Sequence, residues 1–256
     1  MSSDDKTTIS IPFPDYDLPQ LKITAAPARL NVFAGDDLAW VAGNYTDPSG
    51  ETGYRVNQHG PVTQLTHDRH FSGLRKGVPQ FDLALGTGRS FSLAIETGAS
   101  DKTVCDLGGV SLTDLDCKQG AGEFTLDFSR PNPVEMAKLM LAAGAAALEL
   151  RNLANSNASE ISITGGAASF IVDFGGELQR PMHARLNIGM AELRITIPAE
   201  TAANIRTNST LGTVNVGDGF MTKEGAYWSE GAIKGDVPEL SIEIVTALGS
   251  VRIDLI

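Results

Sequence analysis

The sequence has few of the residues that usually carry chemistry or cross-link small folds. Its 256 residues include 2 cysteines, 4 histidines and 2 tryptophans, and aromatic residues make up 6% of the chain. Two cysteines are too few for a disulfide framework, and Cys105 and Cys117 lack the spacing of a metal site. They fit either a pair of buried thiols or a disulfide between adjacent chain segments.

Basic residues and long apolar runs are also scarce. The chain has 20 Lys and Arg against 31 Asp and Glu, a net charge of −11. This acidic balance argues against a nucleic-acid partner and against anionic lipid, because both need a concentrated Lys/Arg surface. We find no apolar run of about 18 residues that would span a membrane, and residues 1–6 lack the features of a signal peptide. We therefore expect a cytoplasmic protein, or an envelope-associated one if the sequence is a fragment.

Glycine, in contrast, is abundant, and many of the 27 glycines recur in one repeated phrase. Each copy has an alternating apolar strand, a small glycine-containing turn and a second alternating strand. The first apolar residue after the turn falls at Phe124, Leu148, Phe170, Leu193 and Val214, in steps of 24, 22, 23 and 21. A period of this length with two-residue alternation inside it predicts a β-solenoid.

We therefore predict an all-β, single-domain, right-handed parallel β-solenoid of about ten coils, each of about 22 residues. Residues 1–18 would form a polar lead-in and residues 19–256 the solenoid domain. Looser copies of the phrase include one that begins at Leu21 and a last one at Val251. An insertion before the last copy carries Tyr227 and Trp228, which we expect to cover the flank of the stack.

The repeat also makes local predictions. It assigns Asp127, Arg151 and Asp173 to outward positions on successive coils, where opposite charges would attract by ~0.2–1 kcal/mol per pair. The segment that starts at Asn132 has the signals of a helix start, with Pro133 next and Glu135 three residues after the Asn. We expect one helical turn over residues 133–137 and then a strand over residues 138–141.

Several phrases carry a resemblance to a known family. They are residues 30–35, 38–45, 120–128, 132–136, 165–174 and 211–216. They resemble the bacterial toast-rack family, a β-solenoid related to the C-terminal domain of LiaF-type envelope-stress proteins and to proteins proposed to be adhesins. The resemblance covers roughly residues 21–256 and implies no catalytic residues, because the family has none that are known.

The sequence gives little evidence for a metal site or a nucleotide site. His59, His67 and His70 share a loop-like stretch, but no third ligand has convincing spacing, so we expect solvated loop histidines. Residues 86–90 have the glycines of a phosphate-binding loop, yet they precede a strand and not a helix, so the helix dipole that would hold a phosphate is missing.

The sequence also gives little evidence for catalytic carboxylates. Asp36 with Asp37, and Asp114 with Asp116, are local acidic pairs without acidic neighbours on the adjoining coils. No serine or cysteine has a recognisable nucleophile context. We predict no enzyme, no catalytic, cofactor-binding or metal residue, and no cofactor.

The leading functional hypothesis is a non-enzymatic scaffold, sensor or interaction module that binds another protein, linked to cell-envelope stress or surface adhesion. The alternative is a carbohydrate-binding or carbohydrate-active β-solenoid, which a groove with clustered carboxylates would favour. We also expect that residues 251–256 form an uncapped last strand, through which two copies could associate.

Overall fold

The computed structural model describes residues 5–68, 77–235 and 239–256, and these form one sheet of sixteen strands. A 3₁₀ helix at Leu153–Ser156 and a short α-helix, α1 (Glu230–Gly235), are the helical elements of the described ranges. The strands, in chain order, are β1 (Asp5–Ile11), β2 (Gln20–Thr24), β3 (Arg29–Ala34), β4 (Val41–Asp47), β5 (Gly53–His59), β6 (Val62–Asp68), β7 (Gln80–Leu85), β8 (Phe91–Asp106), β9 (Leu112–Asp127), β10 (Met136–Arg151), β11 (Ala158–Asp173), β12 (Met182–Ile197), β13 (Ala203–Val216), β14 (Phe220–Lys223), β15 (Ala226–Ser229) and β16 (Leu240–Leu255).

The centre of the sheet is a run of long parallel strands in the order β8, β9, β10, β11, β12, β16 and β13. Neighbouring strands pair Phe124 with Leu148, Leu148 with Phe170, and Phe170 with Leu193. These pairs follow the predicted steps of 24, 22 and 23 residues, because the repeat length sets the register. The all-β class and the repeated, mostly parallel strands are thus confirmed.

A glycine-containing corner divides each long strand into two arms. The alternation of inward and outward side chains shifts by one residue from the first arm to the second. In β9, Leu115 and Cys117 point inward before the glycine corner, and Phe124 and Leu126 point inward after it. All four side chains are at most 1% exposed and belong to one apolar core. The inward position changes from odd to even residue numbers across the corner, so both arms of a strand face the same core.

The last strand lies inside the sheet and not at its edge. Val251 of β16 pairs with Leu193 of β12 on one side and with Val214 of β13 on the other. The prediction that residues 251–256 form an uncapped strand is therefore wrong. The step of 21 residues from Leu193 to Val214 does not correspond to a direct pair, because Val251 lies between them. Both strands carry the same alternation of apolar residues, so the sequence pattern does not distinguish their order.

The predicted helical turn at residues 133–137 is also wrong, because the side chain of Asn132 forms hydrogen bonds with the backbone of neighbouring coils. Its Oδ1 accepts hydrogen bonds from the backbone N–H of Leu112 (3.2 Å) and of Val134 (3.3 Å). Its Nδ2 donates to the carbonyl oxygens of Leu112 (2.8 Å) and Ser156 (3.1 Å). The segment forms bends, and β10 begins at Met136, which confirms the strand predicted over residues 138–141.

Two of the charged residues predicted to face each other on successive coils lie opposite each other, but they do not form an ion pair. Arg151 lies opposite Asp127 on the neighbouring strand. Its Nη2, however, pairs with Oε1 of Glu149 on its own strand at 2.8 Å. Asp127 accepts a hydrogen bond from Nδ2 of Asn152 at 2.8 Å instead. The predicted attraction across the coils is therefore replaced by an exposed pair within one strand and by a loop contact.

Antiparallel strands cover the N-terminal end of the stack. β5 pairs with β6, β4 pairs with β7, and β1, which lies in the predicted lead-in, pairs with β4. At the other end, β15 pairs with β13 only at Asn204 and Ile205. Tyr227 and Trp228 are the β15 residues of these pairs, so they cover the flank as predicted.

Candidate functional site

A groove runs along the outside of the glycine corner. Its lining includes Gly98, Gly120, Gly144, Gly165 and Gly189, one from each strand of β8 to β12. A Cβ added at Gly144 would lie 2.4 Å from the carbonyl oxygen of Gly120, so a side chain does not fit there. The missing side chains leave an open groove of about 740 Å³ along the corner.

Polar side chains line this groove, but they do not form a catalytic pair. The exposed polar side chains of the lining are Glu96, Lys118, Thr164 and Asn187. Glu96 is the one carboxylate among the lining residues, and its Oε2 lies 3.2 Å from Nζ of Lys22. Glycoside hydrolysis usually needs two facing carboxyl groups, and the groove lining supplies one, already paired with a lysine.

Two buried polar side chains stiffen the floor of the groove. Thr97 and Gln119 are 2% and 3% exposed, and the Thr97 hydroxyl donates to Oε1 of Gln119. The Gln119 amide then donates to the carbonyl oxygen of Ala121 at 2.6 Å. These groups satisfy each other, which makes them part of the support of the corner.

Beside the groove lies an exposed column whose side chains become larger toward one end. Ala99, Ala121 and Ala145 occupy it on β8, β9 and β10. Ala167 of β11 pairs with Met190 of β12, Met190 with Leu248 of β16, and Leu248 with Leu211 of β13. Met190, Leu248 and Leu211 are 58%, 44% and 74% exposed, and we call these three residues the apolar ridge.

The apolar ridge ends at β13, and this strand also has two buried polar side-chain atoms that are unusual. The Oγ of Ser209 and the Nδ2 of Asn204 are buried, and within the described part of the chain neither has a hydrogen-bond partner. Buried polar atoms without partners are rare in folded proteins. Sequence reasoning missed the ridge, although Met190, Leu211 and Leu248 each stand one residue from a glycine of the corner.

Among the described residues, His59 and His67 do not form a metal site. His67 lies on β6 and is 2% exposed, so the expectation of a solvated side chain is wrong for it, whereas His59 is exposed. Nε2 of His67 is 3.2 Å from the Tyr45 hydroxyl, and Nδ1 is 3.4 Å from the carbonyl oxygen of Ala26. His70 lies outside the described residues. Within the described ranges no group of three or more His, Cys, Asp or Glu side chains could hold a metal ion.

The acidic residues of the second arm accept hydrogen bonds from neighbouring loop and strand residues. Oδ1 of Asp106 accepts from the Ser129 hydroxyl at 2.7 Å, and Oδ1 of Asp173 accepts from the Thr196 hydroxyl at 2.9 Å. One residue of each predicted local pair is similarly occupied. Asp37 accepts from the Thr87 hydroxyl at 2.6 Å, and Asp116 lies 3.5 Å from Nζ of Lys118.

The segment that resembles a phosphate loop holds the N-terminal region in place. It leads into strand β8, as predicted. Arg89 donates to the carbonyl oxygens of Pro14 (3.1 Å) and Tyr16 (2.8 Å), and its guanidinium lies over the ring of Phe13. The arginine therefore has a structural role in this part of the fold.

The two cysteines are free and fully buried, which excludes the disulfide alternative. Burial raises the pKa of the Cys105 thiol to about 12. Burial also raises the pKa of Cys117 well above its ordinary value, with smaller contributions from Cys105 and Asp116. Thiols in this state are poor nucleophiles, because the thiolate is the reactive form.

Comparison with known proteins agrees with this architecture. The model of the N-terminal domain of toast_rack, DUF2154, matches residues 1–150, which is more than half of the chain. The chain belongs to the toast-rack family. No curated protein matches this toast-rack chain.

Two solved structures share the toast-rack fold of this chain. A proposed cell adhesion protein from Clostridium sporogenes is 12% identical and has a TM-score of 0.50, with 98% of this chain and 99% of that chain covered. A proposed adhesin from Bacteroides fragilis is 10% identical and has a TM-score of 0.51, with 97% and 95% covered. In the described part of the toast-rack chain, no helix is both long and apolar enough to cross a membrane.

Proposed function

We propose that this toast-rack chain is a non-enzymatic, adhesion-type interaction module that binds another protein through the apolar ridge. The observation that carries the proposal is the change from alanine to Met190, Leu248 and Leu211 along one exposed column. Apolar side chains grouped on a polar surface are typical of a protein-binding site. In this proposal the strands form a right-handed solenoid of about ten coils that holds the ridge rigid.

The surroundings of the ridge also support binding over catalysis. The neighbouring groove offers one carboxylate, Glu96, which is paired with Lys22. The outer face carries exposed ion pairs across neighbouring strands, Lys138 with Glu160 at 3.5 Å and Arg185 with Glu243 at 3.0 Å. A face of this kind fits a scaffold or an adhesion surface, and cell adhesion is the role named for a structural neighbour.

Site-specific photo-crosslinking tests this proposal. Met190 is replaced by p-benzoylphenylalanine in the full chain, which is then illuminated in extracts of the source organism. We expect one defined protein adduct that disappears when Leu248→Asp is added, because the charge interrupts the ridge. The control carries the same probe at Leu18, which is 67% exposed and outside the ridge.

Two results would contradict the proposal. Identical adducts at Met190 and Leu18 would show that the ridge has no preferred partner. Absence of any protein adduct, together with retention of the chain on polysaccharide columns, would favour the carbohydrate-binding alternative.

A further inference from the structure

One strand of the sheet has an unpaired edge next to the apolar ridge. β13 pairs along its whole length with β16 on one side, from Ala203 with Leu240 to Val216 with Ile253. On its other side, β15 reaches only Asn204 and Ile205. The backbone of residues 206–216 therefore has no strand partner on that side among the described residues. At the N-terminal end of the stack, β4 and β5 pair antiparallel with β7 and β6.

The composition of this edge does not protect it against pairing. Monomeric proteins guard exposed edges with lysine, proline or added charge. Residues 206–216 contain neither lysine nor proline, and Arg206 is their single charged residue. The segment consists mainly of threonine, asparagine and valine, and Thr and Val favour strands. The acidic excess of the chain is absent from this segment, so two copies would meet here with little local repulsion.

The shape of the edge restricts what can pair with it. The inward positions of β13 change phase between Ser209 and Val214, which places the corner at Leu211 and Gly212. A straight strand could follow only one arm of this bent edge. A partner that follows both arms must bend at the same place.

A second copy of β13 meets this requirement. The unpaired residues 206–216 are centred on Leu211, at the corner itself. When two copies are related by a two-fold axis near Leu211, Arg206 of one chain faces Val216 of the other, and both bends coincide. The hairpin of β14 and β15 covers β13 only up to Ile205, just before this shared stretch begins.

We propose that two chains associate tail to tail by antiparallel pairing of residues 206–216 about a two-fold axis near Leu211. This inference goes beyond the proposed function, because it assigns the unpaired edge of β13, where the apolar ridge ends, to a second copy. Pairing would continue the sheet across both chains and cover the Leu211 side chain, which is 74% exposed in the single chain. Isologous contact of one patch with itself is the commonest way in which soluble chains form dimers.

Sedimentation equilibrium of the full chain over a range of concentrations tests the dimer. We expect a reversible dimer whose dissociation constant rises at least tenfold in Leu211→Asp, because two carboxylates would face each other near the axis. Leu38→Asp is the matched control, since Leu38 is 91% exposed and lies far along the chain from β13. Circular dichroism and thermal unfolding confirm that each variant folds.

A second variant provides an independent readout. Leu211→Cys should form an intermolecular disulfide under mild oxidation, whereas Leu38→Cys should not, and the native thiols are buried. A wild-type chain that stays monomeric at ~1 mM, or a dimer that Leu211→Asp leaves intact, would overturn the inference. If the chain is monomeric but the Met190 probe still labels a different protein, the proposed function stands and only the second copy is excluded.

Discussion

A Cβ atom at Gly249 would lie 1.9 Å from the carbonyl oxygen of Ala191 on the neighbouring strand. Gly249 also has a φ of +132°, a conformation that side chains rarely adopt. The corner of β16 therefore requires glycine for both its backbone angle and its distance from β12.

The substitution Gly249→Ala should accordingly weaken the fold. We expect the free energy of unfolding to fall by about 1–3 kcal/mol from backbone strain, with a further loss from the contact with Ala191. Urea denaturation measures the effect. Gly53→Ala is the control, because nothing lies within 4 Å of a Cβ added there. Equal stability of the two variants would contradict the requirement for glycine.

Asn132 should be among the most costly polar side chains to remove. The residue is 0% exposed, and its amide bonds backbone groups on both neighbouring coils. In Asn132→Ala, each buried backbone group left without a partner costs about 1–3 kcal/mol. Thermal unfolding should show a clear drop for this variant and little change for Asn187→Ala, because Asn187 is exposed. A small effect of Asn132→Ala would mean that water replaces the amide.

Asp47 should make stability depend on pH in the acid range. Burial by itself raises its pKa, but hydrogen bonds from Thr52 and Ser49 outweigh burial and lower the pKa to about 2 from 3.8. A carboxyl with a lowered pKa stabilises the fold above the unfolded pKa and loses that contribution as the pH falls through the folded pKa. The window is therefore from about pH 4 down to about pH 2.

The variant Asp47→Asn measures this contribution. At pH 7 it should lower the free energy of unfolding by about 2 kcal/mol, since one pKa unit corresponds to 1.36 kcal/mol. At pH 2 the variant and the wild type should differ much less. Asp17→Asn, at an exposed position, serves as the control. A constant difference across this range would show that ionisation of Asp47 does not stabilise the fold.

The two thiols should react only after the chain opens. Burial raises the pKa of both cysteines, so at pH 8 a chromogenic disulfide reagent should label the folded chain slowly. Both thiols should react at once in guanidinium chloride. Leu38→Cys, which adds an exposed thiol, shows that the reagent works on the folded protein. Rapid labelling of the folded wild type would contradict the burial of Cys105 and Cys117.

The core could be predicted from the sequence, because each inward residue also obeys the repeat. Phe124 and Phe170 follow both the two-residue alternation and the period of the coils, and both are 1% exposed. The family resemblance rests on the same phrases. The inward position of such a residue follows from two independent constraints, namely the face of its own strand and its neighbours on the next strands.

The order of the last strands could not be predicted in this way. Val214 and Val251 follow the same pattern, so either could have stacked on Leu193, and the structure places Val251 there. The helix signal at Asn132 failed for a related reason. An asparagine that can cap a helix can equally bond the backbone of other coils, and burial of the loop favoured the second use.

The candidate site was the least predictable part. An exposed leucine in an alternating strand is ordinary by itself. The ridge emerges only when Met190, Leu248 and Leu211 are aligned, and that alignment needs the true order of β12, β16 and β13.

The position of β16 also constrains how the chain can be assembled during synthesis. β13 is made before β16, yet in the sheet it contacts β12 only through β16. A ribosome that has released residues 203–216 has therefore produced a strand with no place to dock. The far end of the sheet cannot grow coil by coil, and the growing edge at β12 stays open until residues 240–255 emerge. We expect this late step to be slow, because it joins segments far apart in sequence, and to be the stage most exposed to aggregation.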